Sequence, residues 1–472
     1  MVFTMTQNEN LLTFSAKKLL SKIRNKTLSS EEIVKTFLDR IKAVNPILNA
    51  VVEQKEEQAI LLAQEADKKI DSGETLGKLH GLPVTIKDFC EVKDYTCTYG
   101  TEGYRSRIAP LTAHCAQKLF DEGAIMIGLT NCPEFAGAYE TSNVLYGPTN
   151  NPYDISRSPG GSSGGEAAII AANGSPLGLG SDGGGSIRLP GHFCGITGIK
   201  PTQGLLSAHG IASPFKGIGL LHRHGTFGPM ARYVEDLELS LPILAGYDPH
   251  DPGSIPVNLP NFDKKQKKRI GIFTHNGIAN TDQEIINSIN KVADYLSHEG
   301  HFVEEVSPPS IERTFDLFWK FFYRKGDFGK SFYDAFEEVG TEDISSLQRM
   351  ALKDARKVSF DINELYKGIE QIAKFRWDMN DFMSRYDILL CPPCATTAKK
   401  HNTSFQNIMD YTYTMTFSLL GWPAGVVRCD YSSERLPIGI QVISKPWQDN
   451  LVIDIMKEIE RQFGGFIPPE II

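Results

Sequence analysis

Three residues in this chain have the types and surroundings that nucleophilic chemistry needs: Lys87, Ser162 and Ser186. Ser162 lies in Gly160-Gly161-Ser162-Ser163-Gly164-Gly165, and Ser186 closes Gly183-Gly184-Gly185-Ser186. Glycine gives up side-chain contacts and costs backbone entropy, so such a cluster implies close backbone approach or repeated positive φ. A packing core has no evident use for this much of it. A serine hydroxyl attacks only when a base takes its proton. Lysine can be that base if burial draws its pKa from about 10.4 toward neutrality. Lys87 ends a short apolar strand in which Leu82, Val84 and Ile86 share one face and Lys87 turns the other way. The spacing predicts a nucleophilic serine, a second serine as proton relay, and a lysine base.

The same loops supply electrophilic groups. The N–H groups of Gly183, Gly184, Gly185 and Ser186, unshielded by side chains, can converge on one oxyanion, where each donor is worth roughly 3 to 4 kcal/mol. A phosphate cradle would look similar. Neither loop, however, ends in the Gly-Lys-Ser/Thr of a P-loop, and no dinucleotide fingerprint sits in a βαβ unit with a ribose-binding acid. None of the eleven histidines occupies a nucleophile elbow, and His80 and His192 flank the glycine region without a paired acid. Cys391-Pro-Pro-Cys394 is a lone C-x-x-C after a buried-strand pattern, which disfavours zinc or redox chemistry. No cofactor and no metal is expected.

The elements that must hold these residues read as an alternation of helix and strand. Ser29 caps a helix with Ile33, Val34, Phe37, Leu38, Ile41 and Val44 in helical period, expected to stop before Asn45-Pro46. A second helix spans about 53 to 72, with Ile60, Leu61 and Leu62 as its buried edge and Ser72-Gly73 as its end. After a helix at about 110 to 122, residues 124–129 form a near-continuous apolar run typical of a strand covered on both faces. Further strands are expected at 176–180, 269–273, 301–306, 388–391 and 439–443, and helices at 282–299 and 449–463. The polar, Pro-containing stretch 247–268 reads as a loop. This pattern indicates an α/β sheet with the serine loops at strand ends, where such folds place their sites. Residues 311–338 carry eleven apolar or aromatic positions, from Phe315 and Phe318 to Phe332 and Phe336, around most of a helix. They read first as core and second as an apolar channel or lipid-facing surface.

Composition bounds the partners. The chain has 472 residues, 41% hydrophobic and 22% charged, with a formal net charge of -8. That balance argues against a nucleic-acid binder, which needs a basic face. Eight scattered cysteines show no disulfide framework, and the amino terminus lacks the charged and apolar regions of a secretory signal. With no stretch long enough to span a bilayer, a cytoplasmic location with reduced thiols is expected.

These residues together resemble the amidase signature family. The resemblance rests on Lys87, the Gly-Gly-Ser-Ser-Gly-Gly loop at 160–165, Gly-Ser-Asp-Gly-Gly-Gly-Ser-Ile-Arg at 180–188, Pro190, Phe193-Cys-Gly195 and Gly198-Ile-Lys-Pro201. It extends to Ser29-Ser-Glu-Glu-Ile near the start and to Cys391-Pro-Pro and Gly421-Trp-Pro-Ala-Gly425 near the end, covering most of the chain. It implies one domain over 1–472 with its catalytic core at about 80–210, built on a mixed, mainly parallel sheet covered by helices on both faces. It also implies a Ser-cisSer-Lys triad: Ser186 as nucleophile, Ser162 as relay on a cis peptide, Lys87 as base, Ser163 structural, and the amides of Gly183, Gly184, Gly185 and Ser186 as oxyanion hole. One departure is Gly183, where many relatives carry Thr or Ile, so this loop is expected to be more mobile. Within the family, residues 158–166 and 174–182 look most like the fatty acid amide hydrolases, which implies hydrolysis of N-acylethanolamines, with 311–338 as acyl channel. The alternatives are the glutaminase component of the tRNA-dependent amidotransferase and a small-amide or aryl-amide hydrolase. A binding module without activity has little use for Lys87, Ser162 and Ser186 together. The partners implied are a small or lipid amide, with peripheral membrane contact and a homodimer left open.

Overall fold

A computed structural model of the chain describes residues 11–211, 225–263, 265–323, 327 and 329–470, without the side chains of 322 and 323. Among these residues the strands are β1 (Val51–Glu53), β2 (Pro83–Lys87), β3 (Ile125–Thr130), β4 (Ser142–Asn143), β5 (Gly147–Pro148), β6 (Leu177–Asp182), β7 (Thr197–Lys200), β8 (Thr226–Ala231), β9 (Arg269–Ile272), β10 (Phe302–Glu305), β11 (Ile388–Cys391), β12 (Ala424–Tyr431) and β13 (Pro437–Ile443). β4 and β5 pair as a small ribbon, and the other eleven form one sheet in the order β1-β3-β2-β6-β8-β7-β12-β13-β11-β9-β10. The sheet is mixed and helices flank it, giving a single α/β domain. Its parallel pairings fall in two runs, β3-β2-β6 and β11-β9-β10, rather than throughout. Between those runs every neighbour is antiparallel.

β2, β3 and β6 are buried along their whole length, which explains their unbroken apolar character. In the parallel register Thr85 and Ile86 of β2 lie beside Gly178 and Leu179 of β6. The same β2 places Lys87 opposite Thr130 of β3. Lys87 and Asp182 therefore end adjacent parallel strands, and the loops that follow meet there.

The helices agree with the expected positions and differ in detail. Ser29 caps helix Ser30–Leu48 by accepting the Glu32 N–H at 3.0 Å. The helix does not stop before Asn45-Pro46 but carries Pro46 in its last turns and ends at Asn49 in the left-handed region. Pro46 brings no N–H to the helix ladder, and the chain leaving the helix is held by the Asn45 carboxamide oxygen, which accepts the N–H groups of Ala50 and Val51 at 2.8 Å each. Helix Glu56–Ser72 buries Ala59, Ala63 and Ala66, whereas Leu61 and Leu62 are 59% and 42% exposed, correcting the expected edge. Small residues let this helix lie close on helix Ser30–Leu48, a benefit that a scan for large apolar residues misses.

The aromatic segment is not one helix. It divides into turns at Ile311–Arg313, an α-helix at Thr314–Phe318, a π-helical stretch at Trp319–Tyr323 and a separate helix Lys330–Glu338. Leu317, Phe318, Trp319 and Phe321 are buried in a cluster with Phe375, Met379, Tyr411, Tyr413 and Trp422. Phe328 and the side chains of Phe322 and Tyr323 lie outside the described residues. No helix among the described residues is long and apolar enough to cross a membrane.

Candidate active site

The tip of β2 delivers Lys87 into a fully buried position, where Nζ lies 2.6 Å from Ser162 Oγ and 2.9 Å from Ser181 Oγ. Burial disfavours the ammonium and draws its pKa down to about 8, against the opposing pull of Cys132, Asp182 and Glu166. Ser162 follows a cis Gly161–Ser162 peptide and is 1% exposed. Helix Gly164–Ala171 begins directly after this loop. Gly161 and Gly165 face backbone of 138–140 and of Ala50 and Asn131 too closely for any Cβ, so part of the glycine cluster serves chain packing after all.

Ser186 sits on the second loop, and the Ser163 N–H donates to its carbonyl at 3.1 Å, tying the loops together. Ser163 Oγ in turn donates to the Ser181 carbonyl at 3.1 Å and accepts the Ser181 N–H at 3.2 Å. Ser186 is 8% exposed, more than Lys87 or Ser162, and its hydroxyl has no hydrogen-bond partner among the described residues. The structure thus joins Lys87 to Ser162 directly and brings Ser186 alongside through the backbone.

Two residues flanking Ser186 shape its loop. The Asp182 carboxylate accepts the N–H groups of Gly185 at 2.7 Å and Ile187 at 3.1 Å, and the Arg188 guanidinium grips it at 2.8 and 2.9 Å. Burial alone would raise the Asp182 carboxyl, but the Arg188 charge and hydrogen bonds hold it at about 2. The remaining Arg188 donors go to the Thr414 carbonyl, Gln441 Oε1 and Ser418 Oγ, so all five are satisfied without water. The Gly184 carbonyl accepts the Thr414 hydroxyl at 2.8 Å. The peptide between Gly184 and Gly185 is therefore pinned at both ends. The Gly185 N–H is committed to Asp182, whereas no described acceptor takes those of Gly183, Gly184 or Ser186.

Both flanking histidines are structural. His192 Nδ1 accepts the Gly439 N–H at 2.8 Å and burial lowers its pKa to about 4, while His80 Nε2 lies 2.9 Å from the Ala66 carbonyl. The apolar cluster reaches the loop at Gly184, where a Cβ would meet Phe318 Cζ at 2.9 Å and Tyr139 Oη at 2.8 Å, and at Gly185, where it would meet Leu189 Cδ1 at 2.8 Å. Asp182, Arg188, Ser181 and Glu166 carry no role that the sequence pattern alone marks. The available signal was charged residues retained inside a glycine-rich run, beside the serine they position.

The family model described as Amidase matches residues 32–453. The chain belongs to the amidase family. Among amidase-family relatives, it is 31% identical to a glutamyl-tRNA(Gln) amidotransferase component of Carboxydothermus hydrogenoformans, over 96% of this chain and 97% of that protein. It is also 31% identical to human fatty-acid amide hydrolase 2, over 98% of this chain and 91% of that one. A solved fatty acid amide hydrolase superposes with a TM-score of 0.88 at 24% identity, covering 98% of this chain and 87% of that one. Membership identifies the chain as an amidase-signature hydrolase of amide C–N bonds.

Proposed function

We propose that this amidase cleaves amides of apolar acyl groups, fatty acid amides such as N-acylethanolamines, through Ser186, Ser162 and Lys87. The carrying observation is the buried amine of Lys87 at 2.6 Å from Ser162 Oγ. In this reading neutral Lys87 takes the Ser162 proton while Ser162 takes that of Ser186, whose oxygen bonds to the amide carbon. The oxyanion rests on the N–H groups of Gly183, Gly184 and Ser186, and Gly185 serves the loop by its bond to Asp182. The relay returns a proton to the departing amine, breaking the C–N bond. Water activated by the same residues then hydrolyses the acyl-serine. Ser181 holds one Lys87 N–H so that the lone pair faces Ser162.

Support for an apolar acyl group comes from what borders the loop: Phe318 and Tyr139 at Gly184, Leu189 and Thr414 at Gly185, none of them charged. A glutaminase would need partners there for an ammonium and a carboxylate. Equal identity to an amidotransferase component keeps that second reading alive.

The test is amine release from N-acylethanolamines of acetyl to arachidonoyl length, with glutamine alongside and Ser186→Ala as control. The proposal expects kcat/KM to climb with chain length and to vanish in the variant. Preference for acetyl amides or glutamine would refute the substrate assignment while leaving the triad intact.

A further inference from the structure

One fully buried acid has no part in the scheme above. Glu166 stands in the first turn of helix Gly164–Ala171 and packs its carboxyl beneath the end of β2. Its Oε2 accepts the Thr130 hydroxyl at 2.8 Å, and its Oε1 accepts the Thr85 hydroxyl. Thr85 and Lys87 are two apart on β2 and so share a sheet face, and Thr130 is the cross-strand partner of Lys87. Gly178, beside Thr85 on β6, is where any Cβ would collide with Glu166 Oε1. Three strands thus form a socket for this carboxyl, on the face that carries the proposed base.

The other groups around Lys87 are already engaged. From β6, Asp182 is neutralised by Arg188, with Lys200 of β7 also acting on it. After β3, burial pushes the Cys132 thiol far up, leaving it uncharged. Directly after β2, Asp88 accepts the Thr98 N–H and hydroxyl, and the Phe89 ring lies 5.5 Å from Nζ. Among the described residues Glu166 has hydroxyl partners alone, and the one cation acting on it is Lys87. Such a carboxyl is costly to ionise, and burial raises it to about 7, within reach of the titration of its neighbour.

We propose that Glu166 is a positioning residue for the base: its socketed carboxyl sets the pH at which Lys87 becomes free to take the Ser162 proton. This rests on the reading of Lys87 as base. An ionised Glu166 retains the ammonium up to higher pH, and a neutral residue in its place releases the amine at lower pH.

The experiment is the pH profile of Ser186 labelling by a fluorophosphonate in the full chain, comparing wild type, Glu166→Gln and Lys87→Met. Glu166→Gln should move the rising limb to lower pH by about one unit, and the readout is limb position rather than plateau height. Thr130→Val removes a donor from the carboxylate, favours its neutral form, and should shift the limb in the same direction. It carries the test if Glu166→Gln does not fold. A limb that stays in place in both variants, yet disappears in Lys87→Met, overturns the Glu166 proposal and keeps Lys87 as base. A limb that persists in Lys87→Met overturns both.

Discussion

Lys87 is a lysine held where its charge is unwelcome, and this makes its titration a measurable property of the site. Only the neutral amine can accept a proton, and burial brings its pKa to about 8. The sign follows: kcat/KM should rise about tenfold per pH unit below that value and level off above it. A profile that falls through that range would contradict a lysine base. Asp182 and Arg188 act beside it by geometry, since their side chains are wholly enclosed. Asp182→Asn leaves a buried guanidinium without its counter-charge, so stability should drop by about 3 to 5 kcal/mol in denaturant titration. At this scale Lys87 and the two serines were legible because each sits in a short distinctive motif, a lysine ending an apolar strand and serines within glycine runs, although Lys87 meets Ser162 and Ser181 only across 75 and 94 residues. The Arg188 knot was not, because Thr414, Ser418 and Gln441 lie more than two hundred residues away in the chain.

At the scale of elements, the loop Gly183–Ser186 separates two kinds of glycine. Gly185 has φ 131° and any Cβ would strike the Thr414 hydroxyl, so Gly185→Ala should lower kcat on the order of 10²-fold while the protein still folds. Among the described residues a Cβ on Gly183 meets nothing nearer than Gly225 Cα at 3.8 Å, so Gly183→Thr should keep activity within a few-fold. Steady-state rates of the two variants check both statements. Helix Glu56–Ser72 offers a parallel contrast in stability. Leu61→Ser on its exposed side should change it by about 0.5 kcal/mol or less, whereas Ala63→Leu, at a fully buried position, should cost about 1 to 3 kcal/mol. Periodicity located this helix and misplaced its buried edge, because alanine carries little signal. It gave no sign of helix Thr412–Leu420, whose nine residues are all buried and include three threonines, so neither a period nor a propensity marks it. β12 was hidden because, after a Gly-Trp-Pro turn, its apolar start Ala-Gly-Val-Val breaks at Arg428 and Asp430, so no period or unbroken apolar run marks it.

For the whole molecule, sheet order is what local pattern cannot supply. β12 and β13 arrive more than two hundred residues after β7, yet β12 lies beside it and closes the sheet between the two parallel runs. Alternation of helix and strand indicated an α/β architecture and could not say where late strands insert. One global consequence is chemical: all eight cysteines are buried and unpaired. A thiol reagent should find almost none in the native protein and eight after guanidinium denaturation, with no effect of reductant on the thermal midpoint. The proposed chemistry rests on Ser186 Oγ as the reacting atom, served through Ser162 by Lys87. Intact-mass and peptide analysis after fluorophosphonate treatment tests it most directly. A single adduct on Ser186, absent in Ser186→Ala and much slower in Lys87→Met, is the predicted result. An adduct on another residue, or undiminished labelling in Ser186→Ala, would contradict it.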